Sequence, residues 1–377
     1  MADSRSQGSP TRPDAVFPLD GSADIDVPWH YGDPFTEQRA LVRGTAAVDL
    51  RHRGVVTVGG PDRLRWLNDL VSHKVDQLAE GSSALALILD PHGHVEYELH
   101  MVSAGDTVWI TTEPGAAAGL ADYLARMQFL NQVEVRDVSA EYGSVWVSSP
   151  NFATNFPVWN PPAEFQGTGV TEAGADRGGG ATKYVPERPD VLTGSEVIVP
   201  LSEADSFLDQ FDVLAGTWAL EALRVAAAIP RAGAETDHKS LPHELGWIGT
   251  GVHLTKGCYR GQETVARVHN LGRPPRRLVL IHLDGSDHYL PQHGDPVLLD
   301  DREVGWIGTA VQHYELGPIA TAIVKKAATA DATVVVETSG SGKPESRQNA
   351  DDMSTDHAVS KNPVRIAGTI QNVVVTG

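Results

Sequence analysis

Cysteine is almost absent from the sequence: Cys258 is the only one among 377 residues. A single cysteine excludes an internal disulfide, and it cannot by itself hold a structural zinc ion. Long apolar runs are also missing, since the longest candidate, residues 84–89, has the length of a strand. Residues 1–14 lack the apolar core of a signal peptide. We therefore expect a cytoplasmic protein that makes no contact with a membrane.

Positive charge is scarce, with 30 Lys and Arg against 49 Asp and Glu and a formal net charge of −19. An acidic surface repels phosphate backbones, which disfavours broad nucleic-acid binding. One basic cluster departs from this average, and its members are Lys256, Arg260, Arg267, Arg273, Arg276 and Arg277, with Glu263 as the one acidic residue among them. The basic cluster indicates either a solvated charged loop or a binding site for an anionic partner.

The pattern of apolar residues alternates between strand and helix periods along most of the chain. Residues 84–90 and 94–102 have the pattern of strands, and 62–71 has helical spacing. Residues 202–228 read as one long helix that opens with a capping box. From Arg277 onward, short strands with intervening turn residues indicate a small barrel or sandwich. The sequence therefore predicts an α+β fold.

The composition also predicts where the domains divide. Residues 1–28 are rich in Ser, Asp, Pro and Gly, as in disordered tails. We expect a main α/β region over 29–272, with a loop insertion at about 155–180. A C-terminal β-barrel over 273–377 then contains a disordered insertion at about 339–362.

Cys258 lies in a segment that favours a functional thiol. Lys256 and Arg260 lie within two residues of it, and positive neighbours favour the reactive thiolate form. Gly257 and Gly261 permit the close backbone approaches that ligand loops need. The alternative interpretation is a small, buried, apolar cysteine.

A second group of polar side chains lies along one predicted strand. Its members are His92, His94, Glu96, Glu98 and His100, all on even-numbered positions and therefore on one face. Imidazoles and carboxylates at this spacing can bind zinc or iron. We favour the simpler interpretation, the polar face of a half-buried strand, which can also border a cleft.

The segment 256–263, Lys-Gly-Cys-Tyr-Arg-Gly-Gln-Glu, resembles the signature of the YgfZ family. YgfZ proteins are folate-binding relatives of the glycine-cleavage T-protein that act in iron–sulfur cluster assembly or repair. The resemblance includes residues 54–70, 91–95 and 305–308, and it spans about 29–375.

The resemblance implies a T-protein-like fold, with folate-binding α/β lobes followed by a small C-terminal β-barrel. It implies tetrahydrofolate or a folate derivative as the cofactor, and it makes Cys258 the functional thiol with Lys256 as its activating neighbour. The implied folate-binding residues are Tyr97, Glu98, Arg224, Tyr259, Arg260, Gln262 and Glu263. The basic cluster would then bind the glutamate tail of folate or a tRNA-linked substrate, because arginine donates paired hydrogen bonds to carboxylate and phosphate.

Two positions depart from the T-protein pattern. T-proteins carry adjacent aspartates where this chain has Tyr97 and Glu98, and an Arg-x-Glu-Ala-Gly motif where it has Ala226 in place of the glutamate. Loss of a charge-assisted hydrogen bond to the folate ring weakens binding by about 1.5–3 kcal/mol. Both departures argue against a working aminomethyltransferase.

The leading hypothesis is a tetrahydrofolate-binding protein that supports assembly or repair of iron–sulfur enzymes, including tRNA-modifying ones. Its partners would be iron–sulfur enzymes or assembly factors as clients. The sequence leaves both options for the protein itself, a folate-dependent transferase or a protein without catalytic activity. One alternative is an aminomethyltransferase that uses Glu98 as its carboxylate. A weaker alternative is a tRNA-binding adaptor that acts through the basic cluster. We expect no metal site.

Overall fold

The computed structural model describes residues 12, 14–19, 22–149, 152–166, 188–271, 274–286, 289–339 and 363–373. Within these ranges the chain forms two five-stranded sheets and one closed barrel. No helix in this part of the chain is long and apolar enough to span a bilayer.

The first sheet consists of β2 (Gly54–Gly59), β3 (Ser83–Leu89), β4 (Val95–Ala104), β5 (Thr107–Thr112) and β6 (Glu134–Asp137), in the order β3-β4-β5-β2-β6. Helices α2 (Arg63–Leu70) and α3 (Ala117–Arg126) pack on one face. Leu99 and Met101 of β4 are buried in that core. Because side chains alternate along a strand, Glu98 and His100 lie on the opposite face, as the sequence pattern predicts.

The second sheet consists of β1 (Ala46–Leu50), β7 (Tyr142–Val147), β8 (Val158–Trp159), β9 (Ser195–Pro200) and β10 (Val213–Ala215), in the order β10-β1-β7-β9-β8. Helix α1 (Pro34–Val42) packs beside it. Strand β8 lies within the predicted loop insertion, so this part of the insertion is a strand and not a loop. It is held in place by Trp159, whose indole is buried and whose Nε1 donates to the Ala84 carbonyl at 3.0 Å. Residues 167–187 of that insertion lie outside the described residues.

The predicted long helix over 202–228 is wrong: the segment divides into α4 (Ala204–Leu208), β10 and α5 (Thr217–Ala226). Two tertiary contacts divide it. Strand β10 pairs with β1 in parallel, and Gly216 approaches the Trp29 carbonyl so closely that a Cβ would lie 2.1 Å from the oxygen. Helical propensity yields here to sheet pairing and close packing.

The C-terminal strands form a barrel. They are β11 (Arg276–Leu283), β12 (Pro296–Leu299), β13 (Arg302–His313), β14 (Gly317–Lys325), β15 (Thr333–Thr338) and β16 (Val364–Asn372). The antiparallel order β11-β14-β13-β12-β15-β16 closes where β11 pairs with β16. Helix α6 (Gln262–Leu271) precedes the barrel. The predicted α+β class, with α/β lobes followed by a small β-barrel, is confirmed. Residues 340–362, which contain most of the predicted second insertion, lie outside the described residues.

A buried polar network joins α5 to the barrel. Glu235 is fully buried, and its carboxylate accepts from Arg224 Nη1 at 3.0 Å. The hydroxyls of Thr309 and Thr321, both on barrel strands, donate to the same carboxylate at 2.7 and 2.6 Å. These contacts fix the barrel against the helix that borders the cavity described below.

Most of residues 1–21, the greater part of the predicted tail, lie outside the described residues, but 22–28 pack against the folded chain. The Thr217 amide donates to the Pro28 carbonyl at 3.0 Å. Val27 is buried, and Trp29 stacks on Trp218 with ring centroids 4.5 Å apart. This segment brings Asp24 to the edge of the cavity.

Candidate functional site

A cavity of about 750 Å³, including its open mouth, lies among β4, β7, β8, β9 and α5. Its polar lining residues are Asp24, His52, Arg53, Glu98, His100, Glu113, Glu196, Thr217, Glu221, Arg224 and Arg231. The apolar ones are Leu50, Trp146, Trp159, Pro161, Phe165, Leu192, Leu220, Ile229 and Pro230.

His100 lies between two carboxylates on the cavity wall. Its Nδ1 is 2.7 Å from Glu196 Oε2, and its Nε2 is 3.6 Å from Glu98 Oε1. Glu98 is held in turn by the backbone amide of Ala232, which donates to Oε2 at 2.9 Å. The imidazole face stacks on Trp159 at 3.7 Å with the rings nearly parallel. This packing fixes the imidazole in one orientation.

The charges of this group support each other. Burial opposes the charged form of His100, but the hydrogen bond to Glu196 and the nearby Glu98 carboxylate raise its pKa above the usual value. Burial likewise opposes ionisation of Glu196, yet the nearby Arg53 and the hydrogen bond from His100 lower its pKa to about 2. The carboxylates on either side of His100 therefore favour its protonated form.

A chain of ion pairs continues around the cavity. Arg53 lies 3.2 Å from both Glu196 and Glu113, and Arg231 reaches Glu113 at 2.6 Å. Arg231 also holds Asp24 at 2.7 Å. Burial raises the pKa of Glu113, but the two arginines outweigh it and the pKa is lowered. These pairs keep the carboxylates ionised inside the protein.

The predicted folate-binding residues separate into two groups. Glu98 and Arg224 line the cavity, while Tyr97, Tyr259, Arg260, Gln262 and Glu263 are not among its lining residues. Tyr97 lies on the opposite face of β4, partly buried against the core that α2 and α3 cover.

Arg224 is committed mainly to structure. Its guanidinium donates to Glu221 at 2.8 and 2.9 Å, to Glu235 at 3.0 Å and to the Ile229 carbonyl at 2.6 Å. Ala226 is buried in the core and does not line the cavity. The lack of a carboxylate at position 226 therefore does not change the cavity lining, which has carboxylates of its own, among them Glu98 and Glu221.

The loop around Cys258 forms a separate surface. The thiol is exposed, which rules out the interpretation of a buried structural cysteine. Tyr259 next to it is buried in the core. Arg260 pairs with Glu96 at 3.0 Å, and Gln262 Nε2 donates to the Lys256 carbonyl at 3.5 Å, while Glu263 is solvent-exposed on α6.

Lys256 points inward from the same loop. Its ammonium donates to the carbonyls of Asn68, Val71 and His73, which belong to the end of α2 and the residues after it. Burial lowers the pKa of Lys256 to about 8. The nitrogen also lies 5.0 Å from the centre of the Tyr259 ring. Lys256 therefore anchors the loop, and its action on the Cys258 thiol stays a prediction.

Gly261 fixes the loop against the turn between β3 and β4. Its φ is +81°, and a Cβ built there would lie 2.6 Å from the Asp90 carbonyl oxygen and 2.8 Å from Gly93 Cα. Both obstacles are backbone atoms, which cannot rotate away. At Gly257, by contrast, a Cβ built on the backbone would have no atom within 4 Å.

Replacing Gly261 by alanine is expected to detach the Cys258 loop from this turn. The left-handed backbone alone costs about 1–2 kcal/mol for a residue with a Cβ, and the steric clash adds to that cost. The thermal midpoint of Gly261→Ala should be lower than that of the wild type. The rate at which a disulfide reagent labels Cys258 should differ from the wild-type rate. Gly257→Ala is the matched control and should leave both values unchanged; equal behaviour of the two variants would contradict the role of Gly261.

Four members of the basic cluster are bound internally. Lys256 and Arg260 have the partners given above, and Arg276 pairs with Asp237 at 2.6 Å and Glu244 at 2.9 Å. Arg277 is buried and donates to the Ala328 carbonyl and to Asn372 Oδ1. Most of the described members of the basic cluster are therefore engaged within the protein, and this weakens the support for a tRNA adaptor.

The described residues contain no group of three or more His, Cys, Asp or Glu side chains arranged to hold a metal ion. On the predicted strand face, His94 instead pairs with Asp90 at 2.9 Å, and Glu96 binds Arg260. Glu98 and His100 border the cavity, which agrees with the interpretation of a polar strand face beside a cleft.

Comparison with known proteins places the fold. The GCVT N-terminal domain profile matches residues 22–154, and the glycine cleavage T-protein C-terminal barrel domain profile matches 276–345. The aminomethyltransferase of Nostoc sp. is 26% identical over 336 residues, covering 85% of this chain and 87% of that protein. The aminomethyltransferase of Geobacillus kaustophilus is 26% identical over 322 residues, covering 80% and 84%. The crystal structure of the glycine cleavage system aminomethyltransferase T from Bartonella henselae matches with a TM-score of 0.69 at 16% identity, covering 95% of this chain and 93% of that one.

The chain is GcvT-like, because it carries a GCVT N-terminal domain followed by a glycine cleavage T-protein C-terminal barrel domain. The predicted T-protein-like fold is confirmed, and the family's cofactor, tetrahydrofolate, is the one that the sequence resemblance implied. The relatives named above are aminomethyltransferases, so the narrower assignment to YgfZ stays a prediction.

Sequence reasoning missed most of the charged cavity lining. Asp24, Arg53, Glu113, Glu196 and Arg231 come from distant parts of the chain and meet only in the folded protein. One signal was present: Glu196 is a lone charge at the start of an otherwise apolar strand, and such a residue is rarely buried without a partner.

Proposed function

We propose that the protein binds tetrahydrofolate in the cavity between β4, β9 and α5. The observation that carries this proposal is the combination of flat aromatic walls with carboxylate acceptors on the same cavity. Trp146, Trp159 and Phe165 give the cavity an aromatic lining against which a heterocycle can pack, with one face of Trp159 covered by His100 and the ring of Phe165 by Arg188. Glu98 and Glu221 offer oxygens to the N–H groups of a reduced pterin ring. The residues present therefore fit the cofactor.

Glu98 is the residue whose loss should weaken this binding most directly. Glu98→Ala is expected to raise the Kd for tetrahydrofolate about ten-fold or more, the usual effect of removing a charged hydrogen-bond partner. Calorimetric titration of the purified protein, with reductant present, measures this. Tyr97→Phe is the control, because Tyr97 packs on the far side of β4, and it should bind like the wild type. An absence of saturable binding by the wild type at millimolar tetrahydrofolate would end the proposal.

The narrower proposal is that the protein supports assembly or repair of iron–sulfur enzymes through Cys258. The exposed thiol supports it, since an exposed thiol on a loop anchored by Lys256 and Gly261 is available to a partner. The loop lies outside the cavity lining, so folate and a client would contact different surfaces. Tetrahydrofolate, when bound, would supply or accept one-carbon units.

Aminomethyl transfer is the second candidate. It is favoured by the placement of Glu98, which keeps a carboxylate on the cavity wall at the position of one T-protein aspartate, and by the names of the relatives. Incubation with an aminomethylated carrier protein and tetrahydrofolate should then produce methylene-tetrahydrofolate. If none forms while the protein still binds tetrahydrofolate, this candidate is eliminated and the binding proposal stands.

A further inference from the structure

His100 and Glu98 present an open hydrogen-bonding pair to the cavity. The Nδ1 of His100 is engaged by Glu196 at 2.7 Å, which leaves Nε2 directed toward Glu98 Oε1 at 3.6 Å. That separation is longer than a hydrogen bond. The second Glu98 oxygen already accepts from Ala232. One imidazole nitrogen and one carboxylate oxygen therefore face each other on the cavity wall as a long ion pair, which is loose enough for a ligand to hydrogen-bond to both groups.

We propose that His100 Nε2 and Glu98 Oε1 together recognise a ligand edge that carries a hydrogen-bond acceptor next to an N–H donor. Heterocycles with a lactam or amidine edge have this arrangement, and the reduced pterin ring of tetrahydrofolate is one of them. This inference rests on the proposed folate binding and assigns a specificity residue to it. Stacking of His100 on Trp159 holds the ring so that Nε2 cannot turn away.

The donor exists only while His100 is protonated. Glu196 accepts from Nδ1, so the neutral ring keeps its proton there and Nε2 becomes a lone pair. Three charged groups face the ring: Glu98 from β4, Glu196 from β9 and Arg53 from the β1–β2 turn. Burial and Arg53 oppose the charge, but the hydrogen bond to Glu196 and the nearby Glu98 carboxylate raise the pKa of His100. Binding should therefore be strongest below the pKa of His100 and weaken as the pH rises through it.

The test is a calorimetric titration with tetrahydrofolate over a series of pH values, for the wild type, His100→Gln and Tyr97→Phe. The wild type and Tyr97→Phe should lose about ten-fold or more in affinity as His100 deprotonates. His100→Gln keeps an N–H donor without a titrating charge, so its affinity should not vary with pH over that range. A ligand that prefers the imidazolium must also raise the pKa of His100, which NMR titration of the ring nitrogens measures in free and bound protein.

The outcomes separate this inference from the function on which it rests. The role of His100 is overturned if His100→Gln shows the same pH dependence of binding as the wild type, or if the ligand does not raise the pKa of His100. Folate binding itself stands in either case. No saturable binding by the wild type at any pH overturns both.

Discussion

Replacing Glu235 by alanine is expected to lower the free energy of unfolding by about 3–5 kcal/mol, the range measured when one partner of a buried ion pair is removed. Glu235 is fully buried, and its two oxygens accept from Arg224, Thr309 and Thr321. Without the carboxylate, the two hydroxyls and part of the guanidinium lose their partner in the protein interior. The loss falls where helix α5 meets the barrel, so the cavity should be affected together with stability.

Urea denaturation followed by tryptophan fluorescence measures this change. Glu235→Gln is an intermediate variant, because it keeps the shape and some of the hydrogen bonds but removes the charge. Arg136→Ala is the control, since its ion pair with Glu141 is long and mostly exposed and such pairs contribute little. Similar destabilisation by Glu235→Ala and Arg136→Ala would show that the network does not hold the barrel.

Replacing Cys258 by alanine is expected to reduce the activity of iron–sulfur enzymes under oxidative stress to the level of a strain that lacks the protein. The proposed role needs a sulfur atom that a partner can reach, and the thiol is exposed. Because it is exposed, its removal should leave the thermal midpoint almost unchanged. Loss of function without loss of stability is the signature of this role.

Two further strains make the result specific. Cys258→Ser keeps the size of the side chain but lacks the thiol chemistry, so it should fail like Cys258→Ala. Thr255→Ala changes an exposed residue of the same loop and should behave like the wild type. Normal enzyme activity in the Cys258→Ala strain would remove the thiol from the mechanism and leave folate binding as the function to explain.

The structure also separates two features that the sequence had joined. The family resemblance suggested a thiol close to the folate, but the residues that line the cavity come from other segments than 256–263. The loop is held instead by Gly261 against the β3–β4 turn and by Lys256 against the end of α2. Strand β4 connects the two sites, because its residue Glu96 binds Arg260 and its residue Glu98 lines the cavity.

Features set by local pattern could be predicted from the sequence alone. Alternation along 94–102 was enough to place Leu99 and Met101 in the core and Glu98 and His100 on the opposite face, because strand side chains alternate whatever they pack against. The run of short strands after Arg277 was enough to predict a small β-barrel or sandwich. The eight residues around Cys258 were enough to single out one loop and to suggest the family.

Only the tertiary structure decided which charges are free and which are paired. The basic cluster looked like an anion site in the sequence, yet Arg276 and Arg277 are held by partners that lie between about 30 and 100 positions away. Glu196 and His100 are 96 positions apart, and their contact favours the protonated form of His100. The physical reason is that the free energy of a charge depends on its burial and its neighbours, and the local sequence specifies neither.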